Sequence, residues 1–317
     1  MSYVRFPGLK PGVGVACVSF PGLWPGVGVV HVRFPGLKPG VGAPAYGSPG
    51  CRPGLGRSRV KLPVIDIHSH LLPDIDDGSR TVAQSVLVLN QFAEQGVTDV
   101  ILTPHVSAEE LAVDSDDALE RRDVAFQLLM REAPEVPRLH LGFEIMLDHP
   151  LPSEILEDRR FSLAGSRYYL VEFFLSVSEH EATSLLENAA SNNAVPLVAH
   201  AERYRLCNVR TVSEWRRLGT KIQVDATTLG RSTTRGKYAR QLLGAGLVDV
   251  VAADNHGDDR TLTNAVRFLS DNGSADIAKL LAERNTRAVI EDAEMVPVPA
   301  VPFREGVWDK IKNILGT

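Results

Sequence analysis

The chain has 317 residues, with 34 Lys and Arg against 39 Asp and Glu, a formal net charge of −5 and 44% hydrophobic residues. That is the balance of an ordinary folded chain, mildly acidic, and it offers neither a basic nucleic-acid surface nor a membrane surface. Cys17, Cys51 and Cys207 are too few and too scattered for a disulfide framework or a zinc finger, which points to a reducing cytoplasm.

Three copies of FPGL(K/W)PGVG begin at Phe6, Phe20 and Phe34. Pro and Gly fill the unit and leave no segment able to bury a face, so a solenoid is excluded. Residues 1–59 are expected to be disordered and of low complexity, a translated DNA repeat upstream of a true start near Val60 or Val64. An elastin-like linker is the functional alternative. Within this span, Cys51 to Ser58 matches the C-x5-R-S spacing of cysteine-dependent tyrosine phosphatases. That chemistry needs a strand before the Cys and a helix after the Arg. GSPG and Pro63 occupy those places, so the match is read as chance.

From Lys61 the pattern becomes that of a folded domain over 60–290, with 291–317 a tail containing a short helix. Strands are expected at Val64–His68, Asp99–Thr103, Leu139–Phe143, Tyr168–Phe173, Pro196–Ala199, Ile222–Ala226 and Val248–Ala253. Between them lie a helix capped by Ser79 or Thr81 and closed by Gly96, and helices at Asp116–Glu132 and His180–Asn192. A short helix at Val212–Leu218 is expected to turn Trp215 inward. Lys237–Leu243 is helical, and helices at Asp259–Ser270 and Ser274–Glu283 close the domain. Strand and helix alternate about seven times, which predicts parallel α/β architecture, and functional residues at six or seven strand ends favour a barrel over a doubly wound sheet.

Nearly every expected strand ends in a metal-ligating residue. His68 and His70 follow VIDI, Asp77 lies in DIDDG, His105 ends VILTPH, and Glu144 ends LHLGFE. Glu172 falls in YYLVEF, His200 ends PLVAH, and Asp254 and His256 lie in VVAADNH. Two His two residues apart on a strand share a face and can bind one ion. Nine nitrogen and oxygen donors exceed what one ion uses, so the site is polynuclear, and without Cys it suits Mn, Zn or Fe. Singly, such residues are usually hydrogen-bonded rim residues or turns; nine together are far more specific.

VIDIHSHLLPDIDDG, VILTPH, GFEI, VEF, VAHAERY and AADNH resemble, in order, the motifs of the polymerase and histidinol phosphatase (PHP) superfamily. Within it, they are most similar to the CpsB/CapC-like manganese-dependent protein-tyrosine phosphatases of bacterial capsule and exopolysaccharide operons. The resemblance runs from about Val64 to Asn285. It implies the PHP fold, a distorted seven-stranded (β/α) barrel of TIM-barrel type, with three divalent ions (Mn2+, with Zn2+ or Fe as alternatives) held by the nine residues, and Arg203 binding substrate phosphate. It implies hydrolysis of phosphotyrosine by metal-bound hydroxide, in the cytoplasm, on a protein substrate that is a bacterial tyrosine kinase. No nucleic acid or membrane insertion is expected, and a homo-oligomer is an expectation that the resemblance alone carries. Ala201 departs from the Pro usual in the family, and Arg260 is displaced by about one residue from a further phosphate-binding Arg.

Four other readings compete. A small-molecule phosphatase of the histidinol phosphate type keeps the fold and changes the substrate. A nuclease calls for a basic surface or an attached polymerase domain, and neither is evident. An amidohydrolase with a carboxylated Lys on strand four is disfavoured, because no Lys lies between Lys61 and Lys221. A catalytically silent scaffold would leave the charged ligand set repelling itself.

Overall fold

The computed structural model describes residues 63–301 and 303. The expectations for residues 1–59, the Cys51 motif and the terminal helix lie outside them. Among the described residues the expected parallel α/β architecture is present, in nine strands. Strands β1 (Val64–Ser69), β2 (Val97–Leu102) and β4 (Arg138–Leu141) form one sheet in the order β1-β2-β4. Strands β3 (His105–Ser107), β5 (Glu144–Met146), β6 (Tyr168–Glu172), β7 (Val195–Val198), β8 (Lys221–Asp225) and β9 (Val250–Ala252) form the second, in the order β3-β5-β6-β7-β8-β9. Every pairing is parallel.

Both faces of these strands are covered, which is why they read as near-continuous apolar runs. Ile65, Ile67, Ile101, Tyr168, Leu170 and Leu197 belong to one buried cluster, with Val250 and Ala252. Val100, Leu102, Val171, Val198, Val224 and Val251 belong to a larger one shared with the helices. The two-residue period carries the first face upward: Glu172 continues the side of Tyr168 and Leu170, and Asp254 that of Val250 and Ala252.

The expected second and third strands each end at a break, beyond which a further short strand follows. Pro104 cannot donate to a ladder, and it separates β2 from β3; Gly142–Phe143 separates β4 from β5. The backbone bonds that remain bridge the gaps, Glu144 N donating to Pro104 O at 3.0 Å and Gly142 N to Leu102 O at 3.0 Å. At Gly142 a Cβ would come within 3.0 Å of Leu163, so the break also needs a residue without one.

The helices follow their caps. Helix α1 (Val82–Gln95) opens on Thr81, whose side chain accepts from Gln84 N, and closes on Gly96 at φ 94°. Helix α2 (Ala108–Met130) starts eight residues before the expected Asp116, because Ser107 caps it directly after β3. The non-helical Asp114 inside it accepts from Asp117 N at 3.1 Å, so it ends the first segment and caps the second. A short helix α3 (Ser153–Glu157) was not legible in the pattern. Helix α4 (Glu179–Ala189) carries a Ser178–Glu181 capping pair. Helix α5 (Val209–Arg217) buries Trp215 as expected, its indole N–H donating to Thr183 at 2.9 Å. Helix α6 (Thr234–Gly244) precedes β9. Helix α7 (Thr263–Asp271) begins four residues after the expected Asp259, and α8 (Ala275–Lys279) runs through a π turn into α9 (Asn285–Ile290).

Beyond α9 the described residues have no regular structure but are not loose. Val298 and Val301 are buried in the larger core. Asn285 donates to Asp249 O and Val296 O and accepts from Val296 N, all within 2.9 Å.

At the start of β2, Asp99 is fully buried and receives two bonds from Arg138, at 2.8 and 3.1 Å, and one from His140 at 3.0 Å. Burial opposes its ionisation, yet these donors and Thr98 hold the carboxyl below its ordinary value. A depressed folded pKa contributes stability above the unfolded value of ~3.9 that is lost as pH falls through the folded value. Asp99→Asn should therefore cost about 1–3 kcal/mol at pH 7, the scale of hydrogen bonds to a charged group. The gap from wild type should narrow below about pH 4. Urea midpoints at pH 7 and pH 3 measure both; an undiminished gap at pH 3 would refute the assignment.

Candidate metal centre

The centre is built around Glu144, the first residue of β5 and fully buried. Its Oε1 lies 2.8 Å from His200 Nε2. Its Oε2 lies 3.1 Å from His68 Nε2, 3.2 Å from His70 Nε2 and 3.2 Å from His105 Nδ1. On one side, Asp254 Oδ1 is 3.4 Å from His68 Nε2 and 3.5 Å from His70 Nε2. On another, Glu172 Oε1 is 3.0 Å from His105 Nδ1. On the third, Asp77 Oδ1 lies 3.4 Å from His105 Nε2 and 3.3 Å from His256 Nε2.

The donors fall into three overlapping groups: His68, His70, Glu144 and Asp254; His105, Glu144 and Glu172; and His70, Asp77, His105 and His256. Eight of the nine expected ligands are in these groups, and His200 joins them through Glu144. Asp77 sits in the loop after β1 instead of at a strand tip, with its side chain 66% exposed. The centre is thus closed beneath and open on the Asp77 side. A further group, Glu109, Asp148 and His149, lies apart and largely at the surface.

The ring nitrogens not aimed at the centre are held by neighbours. His68 Nδ1 meets Gln223 Oε1 at 3.1 Å, His70 Nδ1 meets Asp76 Oδ2 at 2.8 Å, and His256 Nδ1 meets the Asp254 carbonyl at 3.0 Å. With the proton on Nδ1 in each case, Nε2 is free to donate its lone pair inward. His68 Nε2 and His70 Nε2 face each other at 3.1 Å. Glu144 Oε2 and Asp254 Oδ1 are buried atoms that no donor meets in hydrogen-bond alignment, despite the imidazoles around them. Lone pairs converging in this way fit divalent cations coordinated by nitrogen and oxygen.

The electrostatics agree. Burial works against the charged form of His68, yet Glu144 and Asp254 raise it above its ordinary value. Burial works against Glu144 as well, and His68 and His200 hold it well below the carboxylate range. Beneath the centre, burial pushes Asp66 up to about 7, and burial with the Asp225 charge pushes Glu202 up to about 8. At neutral pH Glu202 is then mostly protonated and Asp66 about half so, which limits the negative charge of a crowded interior. Two expected ligands also occupy left-handed backbone that non-glycine residues rarely adopt, His200 at φ 31° and Asp254 at φ 48°.

Arg203 is on the rim, its side chain 37% exposed and its NH1 3.8 Å from Asp254 Oδ2. Arg260 NH1 lies closer to the same oxygen, at 3.3 Å, so the displaced Arg of the sequence does reach the site. Arg205 is exposed and lines a separate cavity of about 550 Å3 between α5 and α6. Residue patterns singled out neither Asp76 nor Gln223. Each left a trace, Asp76 as the partner of Asp77 in DIDDG and Gln223 as a polar residue inside an apolar strand. Asn255 was likewise passed over: it accepts from Gly257 N and donates to Arg260 O, shaping the loop between Asp254 and His256.

A family model described as capsular polysaccharide synthesis, CpsB/CapC, matches residues 64–291, a span that contains all nine expected ligands. The chain is 28% identical over 248 residues to the tyrosine-protein phosphatase CpsB of Streptococcus pneumoniae, covering 72% of this chain and 99% of that protein. It is 28% identical over 201 residues to the tyrosine-protein phosphatase YwqE of Bacillus subtilis (strain 168), covering 61% of this chain and 77% of that one. A solved structure from a study of B. subtilis YwqE and S. pneumoniae CpsB, described as metal-dependent tyrosine phosphatases, superposes with a TM-score of 0.63 at 24% identity. It covers 76% of this chain and 100% of its own.

Asp76 holds His70 without facing the centre itself. Asp76→Ala should weaken divalent-metal binding about 10- to 100-fold, the usual cost of losing such a partner. Calorimetric titration with Mn2+ measures it, and an affinity equal to wild type would show that His70 needs no such support.

Proposed function

The chain belongs to the CpsB/CapC family of capsular polysaccharide synthesis, and from that membership we propose how its site acts as a metal-dependent protein-tyrosine phosphatase. The observation that carries the reading is the convergence of nine nitrogen and oxygen donors around the buried Glu144. We assign these nine residues as ligands of three divalent ions, with Mn2+ as the resident metal. Such ions, when bound, supply Lewis acidity at phosphoryl oxygens and make a water acidic enough to act as nucleophile near neutral pH.

The protein groups have their own tasks. Arg203 holds the phosphate from the rim, its planar fork suited to two oxygens at once, and Arg260, whose NH1 meets the same Asp254 oxygen, supports it. Gln223 and Asp76 keep His68 and His70 in the tautomer that faces inward. Water adds to phosphorus, the bond to the tyrosyl oxygen breaks, and phosphate and tyrosine leave. With a phenol pKa near ~10, tyrosine departs more readily than serine. No cysteine nucleophile is needed: Cys207 is buried and burial pushes its thiol up.

We further read the two parallel sheets as one distorted barrel of seven β/α units. Joining β2 to β3 and β4 to β5 across their breaks leaves seven strands, and a parallel bridge from Ser69 to Asn255 links the end of β1 to the segment after β9. The substrate we assign is the phosphorylated tyrosine segment of a bacterial tyrosine kinase controlling polysaccharide export, met in the cytoplasm. Among the described residues no helix is long and apolar enough to cross a membrane.

Hydrolysis of phosphotyrosine peptides, phosphoserine peptides and histidinol phosphate with Mn2+, compared across wild type, His200→Ala and Cys51→Ser, tests this reading. Phosphotyrosine turnover should fall at least about 100-fold in His200→Ala, as expected for losing part of a metal site. Cys51→Ser should be unaffected. Preference for histidinol phosphate would reassign the substrate, and loss confined to Cys51→Ser would overturn the mechanism.

A further inference from the structure

Directly after the ligand Glu172, the loop leaving β6 exposes two large apolar side chains, Phe174 at 56% and Leu175 at 67%. Among the described residues they are the sole consecutive pair of exposed large hydrophobics, and Phe174 is the sole aromatic among them. Scattered apolar residues at a surface need no explanation, but a contiguous pair beside a site does.

Their placement follows from the chain. Glu172 points into the centre, its Oε1 3.0 Å from His105. Phe173 points the opposite way and is buried, with ring centroids 5.6 Å from Tyr204 and 5.9 Å from Trp215. Its backbone N–H donates to the Tyr204 hydroxyl at 3.1 Å, which fixes the chain as it leaves the strand. Phe174 follows two residues after Glu172, just past the end of β6, and two residues of chain keep the two Cα atoms within about 7 Å. A turn closed by Val177 N donating to Phe174 O at 3.0 Å holds Phe174 and Leu175 outward.

We propose that Phe174 and Leu175 form an apolar lip that packs against the phenyl ring of an aryl phosphate, favouring tyrosyl over alkyl esters. The proposal rests on the phosphatase reading above. With the phosphate held at Arg203, the ring begins one ester oxygen from phosphorus and has to lie at the mouth of the site. The loops of Asp77 and Arg203 expose charged side chains there, and among the described exposed large hydrophobics none lies in either loop. A phenyl ring against Phe174 gains both burial and an aromatic pair.

The test uses the full chain loaded with Mn2+, as wild type and as the double variant Phe174→Ala, Leu175→Ala, whose sites are exposed enough to leave folding intact. KM for a phosphotyrosine peptide and the inhibition constant of phenylphosphonate should each rise about three- to tenfold, the scale of an aromatic contact. Turnover number and the inhibition constant of inorganic phosphate, which has no ring, should not move. Parallel weakening of phosphate and phenylphosphonate, or no weakening of either, overturns the lip. So does a change in sedimentation mass without a selective loss of phenylphosphonate, which would make this face a contact between copies of the chain. A wild type that hydrolyses alkyl and aryl phosphates equally overturns the lip and leaves the phosphatase reading standing. A metal-loaded wild type without phosphotyrosine turnover overturns that reading, and the lip with it.

Discussion

Glu144 is a carboxylate removed from water and surrounded by four imidazoles, each with a ring nitrogen within 3.2 Å of one of its oxygens. Burying an unpaired carboxylate is costly enough that such groups normally take a proton or a counter-charge. Here the counter-charge has to come from imidazolium or from cations, and the geometry at the neighbouring atoms favours cations. Everything around the centre follows from holding these five groups together. The strands supply the positions, and the outer partners Gln223 and Asp76 supply the ring orientations.

The breaks at the ends of the second and third expected strands belong to the same requirement. A regular ladder carries its residues past one another at fixed spacing and alternates them between faces. Interrupting it at Pro104 and at Gly142 re-aims the residues that follow, and those residues are His105 and Glu144. The left-handed backbone at His200 and Asp254 does the same work in two other strand ends. Four of the nine donors thus sit at departures from regular structure, which is where strain is stored when a site demands a particular direction.

That explains what could be read in the sequence. Tyr168–Glu172 and Val195–Val198 were legible because buried parallel strands are apolar throughout, and α1 because Thr81 and Gly96 punctuate it. The donors were legible because all but Asp77, which lies in the DIDDG loop, end or closely follow such a run. The split of the strands was not, since Pro104 and Gly142 also suit an ordinary strand end. The early start of α2 was missed because Asp114 breaks its periodicity. Asp76 and Gln223 act through another residue, so their meaning appears only when His70 and His68 are placed beside them.

The tail after α9 carries a consequence of another kind. The family match stops at residue 291, yet Asn285 makes three of its hydrogen bonds with partners that include both backbone groups of Val296. Val298 and Val301 then fill the core, and Val301 N donates to Leu243 O at 3.2 Å. The stretch that homology recognises is therefore shorter than the stretch that must be present for the fold to close. A fragment cut at the homology boundary would keep all nine donors and still lose Val298 and Val301 from the core.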